Sequence, residues 1–352
     1  MSRELWKPRL LRFANTGRGE QGIPLRTRLD LPKTVLGRRI RQRKVMRHSF
    51  PWLHKIKGEV RRDELMSQHT SIRIGGPADF FILPKDVTDL QMILRNRGSM
   101  PLFVFGEGTN LLVRDKGIRG IVVSLKESFK SIQVPEFTQS PEGEETALIR
   151  AGAGVKISYL AKYAARYGLT GIEKLVGIPG SLGGALIMNA GAEDVETGQV
   201  VESITRINPD GELETLTRDQ LTFQYRKTIF PTPGGVIVEA TLRLKKSDPA
   251  SVQKTMDEHL SRRSRTQPLT IPNCGSVFKN PINDKAGRLV EEAGLKGCRM
   301  GRAGISLKHA NFIVNKGQAS ARDVEGLIEH AQKTVLKKTG IALETEIIVV
   351  GE

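Results

Sequence analysis

The sequence has few cysteines, few aromatic residues and no long apolar run. Cys274 and Cys298 are its only cysteines, which excludes a disulfide framework, and no Cys/His grouping has the spacing of zinc ligands. No apolar stretch approaches the roughly 18–20 residues of a membrane span, and the N-terminus lacks the charged-then-apolar pattern of a signal peptide. These absences predict a cytoplasmic protein without a metal site or a membrane segment.

Acidic residues are also scarce, but only at the N-terminal end. The net charge is +17, and residues 1–57 hold 16 Lys or Arg against three acids. The remaining 295 residues are nearly balanced at +4. Because residues 1–57, here called the basic arm, combine one sign of charge with few apolar residues, we expect them to be disordered or weakly structured.

Several explanations of the basic arm stay open. Contact with RNA, DNA or an anionic membrane surface would use its charge. A tolerated extension, or translation starting at Met46, would give it no role, and its two serines, Ser2 and Ser49, are fewer than a transit peptide usually has. A nucleic-acid-binding protein is the alternative from another functional class, but the nearly neutral remainder and the 5% aromatic content speak against it.

Beyond the basic arm, strand and helix patterns alternate. The segments 78–84, 102–105, 120–125 and 147–151 read as buried strands, and apolar spacing predicts helices around residues 90–94 and 157–164. Asn208-Pro-Asp-Gly211 predicts a hairpin, and Ser320 with Asp323 forms a capping box before a helix that Gly340 ends. Residues 131–145 are acidic and irregular, which predicts a surface loop.

Two glycine-rich segments are suited to a flat anionic ligand. In Gly106-Glu-Gly-Thr-Asn110 and Gly177-Ile-Pro-Gly-Ser-Leu-Gly-Gly-Ala185 the backbone can approach a ligand closely, and backbone N–H groups in such turns form a concavity that fits a diphosphate. Neither segment is a dinucleotide fingerprint or a Walker motif. Each alone is equally compatible with tight turns between strands.

Taken together in order, the motifs resemble the UDP-N-acetylenolpyruvoylglucosamine reductase family. The resemblance covers residues 60–352. It is carried by His69-Thr-Ser-Ile-Arg-Ile-Gly-Gly-Pro-Ala78, Gly106-Glu-Gly-Thr-Asn-Leu-Leu-Val113, the second glycine-rich segment with Asn189-Ala-Gly-Ala192, Tyr225-Arg-Lys-Thr228, Gly275-Ser-Val-Phe-Lys-Asn-Pro281, Ala286–Gly297, Lys308-His-Ala-Asn-Phe-Ile-Val-Asn315 and Leu343-Glu-Thr-Glu346.

The resemblance implies an α/β (α+β) fold. A two-lobed FAD-binding domain of the vanillyl-alcohol-oxidase-like type would be followed by a C-terminal α+β substrate-binding domain. With the basic arm at 1–57, the expected boundaries are 58–130 and 131–247 for the two lobes and 248–352 for the substrate domain. The implied activity is NADPH-dependent reduction of UDP-N-acetylglucosamine enolpyruvate to UDP-N-acetylmuramate, a peptidoglycan precursor, through non-covalently bound FAD. A monomer whose partner is this UDP-sugar is expected.

The resemblance also implies roles for individual residues. Ser276 would donate a proton to the substrate, while Arg226 and Glu346 would stabilise the charge that develops on it. FAD would be held by Arg73, Gly75, Gly106, Gly108, Thr109, Asn110, Gly177, Ile178, Gly180, Ser181, Gly183, Gly184 and Asn189. The substrate would contact Tyr225, Lys279, Asn280 and His309.

The chain departs from the family pattern in a few places. Thr109 and Thr228 stand where serine is common, and Glu193-Asp194 replaces the usual Tyr-Gly pair, which affects contacts with the flavin or between the lobes. Only 49 residues separate Arg226 from Ser276, so the chain resembles the shorter subtype without an extra substrate-covering loop. A related flavoprotein oxidase acting on another alcohol or sugar is the alternative enzyme, against which the segments around Ser276 and Glu346 argue.

Overall fold

The computed structural model describes residues 50–140 and 143–352, of which Trp52–Glu352 form one unit. Residues 1–49 of the predicted basic arm lie outside the described residues. The structure moves the end of the arm from residue 57 to an earlier position, because Leu53 and Ile56 are buried in the body and a 3₁₀ helix spans Pro51–Lys55. A boundary placed on charge alone missed these two apolar anchors.

The first region is built on a four-stranded sheet. Its strands are β1 Glu59–Leu65, β2 Pro77–Leu83, β3 Leu102–Phe105 and β5 Ile118–Ser124. Their order is β1-β2-β5-β3, with β1 antiparallel to β2 and the other pairs parallel. A 3₁₀ helix, Met66–Gln68, and helix α1, Val87–Asn96, belong to this region. As the apolar spacing predicted, α1 buries Leu90, Ile93 and Leu94.

The second region is an antiparallel sheet with two small hairpins. The sheet contains β6 Glu136–Gln139, β7 Glu145–Gly152, β8 Leu169–Thr170, β11 Val201–Ile207, β12 Leu213–Thr217 and β15 Val236–Lys246. The order is β12-β11-β15-β7-β6, and β8 also pairs with β15. The hairpins are β9 Gly191–Ala192 with β10 Val195–Glu196, and β13 Thr222–Gln224 with β14 Lys227–Ile229. Helices α2 Ile157–Arg166 and α3 Leu182–Ile187 and 3₁₀ helices at Glu173–Gly177, Thr197–Val200 and Arg218–Gln220 complete this region.

One prediction in the second region is wrong in part. The stretch 131–145, expected to be a surface loop, contains the edge strand β6, which pairs antiparallel with β7. An edge strand needs little apolar sequence, because its stability comes from backbone pairing with one neighbour. Three of the four residues of β6 are exposed, so its polar composition concealed it.

The third region carries a smaller antiparallel sheet and the longest helices. Its strands are β16 Asn273–Ser276, β17 Arg299–Met300, β18 Ala303–Ile305 and β19 Phe312–Asn315, in the order β16-β19-β18-β17. Its helices are α4 Pro249–Thr266, α5 Ala286–Glu292 and α6 Ala321–Thr339. The predicted capping box at Ser320 is present, and Gly340 ends α6 with a φ of 74°.

The end of the chain returns to the first region. Strand β20, Ile348–Val350, pairs in parallel with β4, Leu111–Val113. The apolar core around α5 and α6 also includes Ile72, Ile74 and Leu112. The third region therefore shares its core with the first, and this packing brings the C-terminal segment beside the first glycine-rich loop.

Candidate active site

A single large cleft collects most of the predicted site residues. Its volume is about 1580 Å³, larger than the roughly 300–1,000 Å³ typical of a site for one small molecule. The predicted residues that line it are Arg73, Gly106, Gly108, Thr109, Asn110, Ile178, Gly180, Ser181, Gly183, Gly184, Arg226, Ser276, Asn280, His309 and Glu346. Segments far apart in the sequence therefore converge on one cleft with room for a cofactor and a substrate together.

The two glycine-rich loops are joined directly on the cleft wall. Thr109 Oγ1 donates a hydrogen bond of 3.1 Å to the carbonyl of Pro179. Gly108 has a φ of +65°, and a Cβ there would lie 2.5 Å from the carbonyl oxygen of His69. Only glycine fits this position without moving the backbone. The loops thus form a tight cradle, and Glu107 and Ile178 line the cleft there beside the glycines.

Backbone pairing brings Glu346 next to the segment of Ser276. Lys279 N–H donates to the carbonyl of Glu344 at 2.9 Å, and Glu346 N–H donates to the carbonyl of Val277 at 2.8 Å. Asn110 Nδ2 then donates to the carbonyl of Glu346 at 3.1 Å. The first glycine-rich loop and the Ser276 strand are therefore both tied to the segment that carries Glu346.

Arg226 reaches the cleft from the turn between β13 and β14. Its backbone has a φ of +59°, a conformation uncommon for a residue other than glycine and of the strained kind found at functional sites. Its Nε donates to Glu346 Oε1 at 2.9 Å, and its Nη2 donates to the carbonyl of Gly191 at 3.4 Å. The guanidinium also lies over the ring of Tyr225, 4.7 Å from the centroid. The turn, the ring and the carboxylate together fix the cation in place.

The surroundings of Glu346 raise its pKa above that of an ordinary glutamate. Burial raises the pKa of this carboxyl, and the charges of Arg226 and Lys279 offset that effect only in part. Its side chain is 16% exposed and that of Arg226 is 17% exposed, so neither charge is well solvated. Glu346 is thus an acid that is easier to protonate than an ordinary glutamate.

The hydroxyl of Ser276 has no hydrogen-bond partner among the residues that the structure describes. Ser276 ends β16 and pairs with Phe312 of β19. Asn311 braces the backbone behind it, accepting from Phe278 N–H at 2.9 Å and donating to the carbonyl of Phe278 at 2.8 Å. Among the described residues, Ser276 Oγ makes no hydrogen bond, so it remains available to a ligand in the cleft.

His309 presents a fixed tautomer to the cleft. Its Nδ1 accepts a hydrogen bond of 3.2 Å from the backbone N–H of Asn311, which leaves the ring hydrogen on Nε2. Burial lowers its pKa, and the charge of Lys296 lowers it further. His309 is therefore a neutral hydrogen-bond donor in the cleft wall.

Five of the predicted site residues do not line the cleft: Gly75, Gly177, Asn189, Tyr225 and Lys279. Lys279 pairs with Glu344, Nζ to Oε2 at 3.2 Å. Asn189 is buried and binds Glu196 and the backbone of Gly198 behind the wall. Asn280 does line the cleft, but its Oδ1 accepts from Ala286 N–H at 3.1 Å.

Gly177 has a packing role that the sequence did not indicate. A Cβ on Gly177 would lie 2.3 Å from Cδ of Arg263, whose side chain lines the cleft. Burial lowers the pKa of this guanidinium. The sequence shows a run of basic residues at the end of α4, but their positions on the helix do not show that Arg263 is the one that packs against Gly177.

The Glu193-Asp194 pair forms ionic contacts at the cleft. Glu193 pairs with Arg262 and lies 3.4 Å from His259 Nε2, and Asp194 lies 2.5 Å from Lys174 Nζ. These contacts link the β9–β10 hairpin to α4 and to the 3₁₀ helix Glu173–Gly177. His259, which the sequence alone gave no reason to select, thereby becomes part of the cleft lining.

Other chemistry is not indicated by the described residues. Burial raises the pKa of Cys274 to about 12, so its thiol stays protonated at neutral pH. Residues 50–140 and 143–352 contain no group of His, Cys, Asp or Glu that could hold a metal ion. No helix in the same part of the chain is long and apolar enough to cross a membrane.

Two segments of the chain match models of known protein families. Residues 78–217 match the model of the FAD binding domain, and residues 267–350 match that of the UDP-N-acetylenolpyruvoylglucosamine reductase C-terminal domain. UDP-N-acetylenolpyruvoylglucosamine reductase 2 of Symbiobacterium thermophilum is 44% identical over 84% of this chain and 93% of its own length. The Halalkalibacterium halodurans UDP-N-acetylenolpyruvoylglucosamine reductase is 41% identical over 84% of this chain and 95% of its own.

A solved structure agrees with these sequence matches. The crystal structure of UDP-N-acetylenolpyruvylglucosamine reductase from Thermus caldophilus superposes with a TM-score of 0.69 at 35% identity, covering 84% of this chain and all of its own. The predicted fold class, an α/β FAD-binding domain followed by a C-terminal domain, is confirmed. The chain belongs to the UDP-N-acetylenolpyruvoylglucosamine reductase family and is an FAD-dependent oxidoreductase.

Proposed function

We propose that Arg226, Ser276 and Glu346 are the catalytic residues of this reductase. The chain catalyses the reduction of UDP-N-acetylglucosamine enolpyruvate to UDP-N-acetylmuramate, a step of peptidoglycan precursor synthesis, with NADPH as the hydride source. The observation that carries the residue assignment is the 2.9 Å contact between Arg226 Nε and Glu346 Oε1 in the wall of the cleft that Ser276 also lines.

The cradle of the two glycine-rich loops is the place for FAD. Residues 106–110, 178–181, 183 and 184 line the cleft there, and the steric limit at Gly108 indicates that the cradle is closely packed. Peptide N–H groups of such turns suit a diphosphate. The chemistry that FAD supplies when bound is hydride carriage from NADPH to the enolpyruvyl group.

Arg226 and Glu346 stabilise the charge that the reaction creates. Hydride addition to the vinyl group spreads negative charge onto the adjacent carboxylate of the substrate. The guanidinium of Arg226 faces that charge as a fixed cation in a poorly solvated site, where its effect is strongest. Glu346 donates a hydrogen bond when protonated, and a bound substrate carboxylate favours this state because it adds a second negative charge nearby.

Ser276 delivers the proton that completes the reduction. Its Oγ has no partner among the described residues, so it is free to face the substrate carbon. A serine hydroxyl is a weak acid, and its contribution depends on position and on proton relay from solvent or a neighbour. The rigid backbone around Phe278 and Asn311 supplies that position.

The remaining substrate contacts follow from which side chains face the cleft. His309 and Asn280 line it, and the neutral His309 offers Nε2–H to an oxygen of the UDP-sugar. Tyr225 acts through its ring under Arg226, and Lys279 acts through its ion pair with Glu344 rather than by contact. Arg73, which lines the cleft with a φ of +57°, remains a proposed FAD contact, whereas Gly75 and Asn189 support the wall.

We also infer the cellular setting from the reaction. An enzyme of peptidoglycan precursor synthesis works in the cytoplasm and supports cell-wall biogenesis, cell shape and division. We infer that it acts as a monomer, because one chain contributes both glycine-rich loops and all three proposed catalytic residues to the cleft.

Steady-state NADPH oxidation tests the function directly. The purified protein should show a flavin absorption band, and it should oxidise NADPH rapidly only when UDP-N-acetylglucosamine enolpyruvate is present. UDP-N-acetylglucosamine, which lacks the enolpyruvyl group, is the matched control and should give only background oxidation. Equal rates with both sugars, or a protein that binds no flavin, would contradict the proposal.

A further inference from the structure

Three polar side chains lead from the first sheet to the cleft wall. Glu64 Oε1 lies 2.8 Å from Nε2 of His69, and Nζ of Lys126 lies 3.0 Å from Nδ1 of His69. The side chain of His69 is 5% exposed, and its ring stacks on Phe81 with centroids 4.3 Å apart. The imidazole is thus held by packing and by hydrogen bonds at both nitrogens.

The positions of the protons in this network follow from which groups can donate a hydrogen bond. An ammonium group only donates hydrogen bonds, so Nδ1 of His69 must be the acceptor for Lys126. The ring hydrogen then lies on Nε2 and is donated to Glu64. Burial lowers the pKa of His69, and the charges of Lys126 and Arg61 act in the same direction against the opposing effect of Glu64. His69 is therefore a neutral group of fixed tautomer that aims Lys126.

No carboxylate of the described residues neutralises the charge of Lys126. Within residues 50–140 and 143–352, no carboxylate lies within ion-pair distance of its Nζ. Glu64, at the far end of the network, is already paired with Arg61, Nη1 to Oε1 at 3.0 Å. Lys126 lines the cleft together with Gly106 and Gly108, and the carbonyl of His69 lies against Gly108. Lys126 thus brings to the cleft wall a cation that no described carboxylate pairs, and His69 connects it to the first glycine-rich loop.

We propose that Lys126 binds the diphosphate of FAD and that His69 is a positioning residue that orients it. The inference rests on FAD binding at the Gly106–Asn110 loop. Backbone N–H groups supply only partial positive charge to a diphosphate, so a full cation adds a charge-assisted hydrogen bond. Because one Lys126 hydrogen is used on His69, the ammonium is held in one orientation and its other hydrogens remain for the ligand.

The test is FAD binding by protein from which the flavin has been removed. Lys126→Met keeps the aliphatic stem and removes the charge, and it should weaken FAD binding about tenfold to a hundredfold, the usual effect of a charge-assisted hydrogen bond. Its affinity should also depend less on salt, because one screened charge contact is gone. Lys130→Met is the matched control. It removes the same charge four residues away, where Lys130 pairs with Glu127 at the surface, and should bind FAD like wild type.

Two further variants separate charge from packing. Lys126→Arg keeps a cation and should retain most of the affinity. His69→Phe keeps the ring stack on Phe81 but removes the acceptor, so it should weaken FAD binding less than Lys126→Met does. Adding His69→Phe to Lys126→Met should cause little further loss, because a positioning residue has no effect once its target is absent.

The outcomes distinguish this inference from the proposed function. Equal FAD affinity for Lys126→Met and Lys130→Met would overturn the role of Lys126, as would equal losses for Lys126→Met and Lys126→Arg. With FAD saturating, KM values for NADPH and the UDP-sugar should be unchanged in Lys126→Met. A raised KM with unchanged FAD affinity would assign the charge to another diphosphate and refute the proposal. If the wild-type protein itself binds no FAD, the proposed function fails instead.

Discussion

Arg226 Nε and Glu346 Oε1 lie 2.9 Å apart in the cleft although the two residues are 120 positions apart in the chain. Each is held from a different region of the structure, Arg226 by the β13–β14 turn and Glu346 by backbone pairing with the Ser276 segment. The pair is therefore sensitive to the mutual placement of these regions, and several predictions depend on it.

Removing the Ser276 hydroxyl should separate the two half-reactions. Ser276→Ala should still be reduced by NADPH at close to the wild-type rate, because that step needs no proton for the sugar. Its reoxidation by the enolpyruvyl substrate should slow by about 10²- to 10⁴-fold, the usual contribution of a general acid. Stopped-flow absorbance of the flavin measures both steps. Ser251→Ala, which changes an exposed serine of α4, is the control. If Ser276→Ala is reoxidised as fast as the wild-type protein, Ser276 is only a turn residue and not the proton donor.

Replacing the guanidinium at position 226 by an ammonium group should lower the catalytic rate despite the unchanged charge. Lys has no planar fork, so Arg226→Lys cannot contact Glu346 and the Gly191 carbonyl while also facing the substrate. We expect kcat with the enolpyruvyl sugar to fall by at least about tenfold, with little change in FAD content. Arg218→Lys is a suitable control, since its guanidinium stacks on Phe223 at 4.5 Å outside the cleft lining. Full activity of Arg226→Lys would mean that charge alone suffices.

The raised pKa of Glu346 predicts a pH dependence. If Glu346 acts as a hydrogen-bond donor, reoxidation by the sugar should be fast below its pKa and decline as pH rises through it. Because burial raises this pKa above that of an ordinary glutamate, the decline should begin at a higher pH than ordinary carboxyl titration would give. Glu346→Gln should be only mildly impaired, since an amide still donates, and should lose this limb of the profile. If the rate of Glu346→Gln still declines over the same pH range, the decline arises from the titration of another group.

The cradle at Gly108 predicts loss of flavin on substitution. Gly108→Val places a side chain against the His69 carbonyl and the Phe105 ring, so the loop must move and the protein should purify without FAD. Gly98 has a similar φ of +56° but open space around it, so Gly98→Val imposes comparable backbone strain without the clash and should keep its flavin. The absorbance ratio of flavin to protein measures the effect. Full flavin content in Gly108→Val would contradict the assignment of this loop.

Removal of residues 1–49 should leave catalysis intact. This segment holds most of the positive charge of the basic arm and none of the family motifs, whereas Leu53 and Ile56 must stay because they are buried in the body. Flavin content and turnover of the truncated protein should match those of the full chain. Any affinity of the full chain for RNA or anionic vesicles should weaken with salt, and the truncated protein should lack it. A folded but inactive truncated protein would show that the arm belongs to the catalytic body.

Local sequence was sufficient for the elements and for most of the cleft. Three elements depend on residues close in sequence and could therefore be predicted from it: the helix around Leu90 and Ile93, the capping box at Ser320 and the end of α6 at Gly340. The glycine-rich loops were recognisable because the backbone conformation they need restricts which residues can stand there. The edge strand β6 was missed because its stability depends on a partner strand rather than on its own composition.

The roles of single side chains depended on contacts between distant segments. His69 resembles any other histidine until folding places it between Glu64 and Lys126, and Gly177 resembles a ligand-binding glycine until Arg263 lies against it. Lys279 is a predicted substrate contact, and only the folded structure shows that it pairs with Glu344. Composition and order specify which segments form, because those preferences are local. Burial, charge pairing and protonation arise only when β20 and the C-terminal core fold back onto the first region, because only then do these groups share an environment.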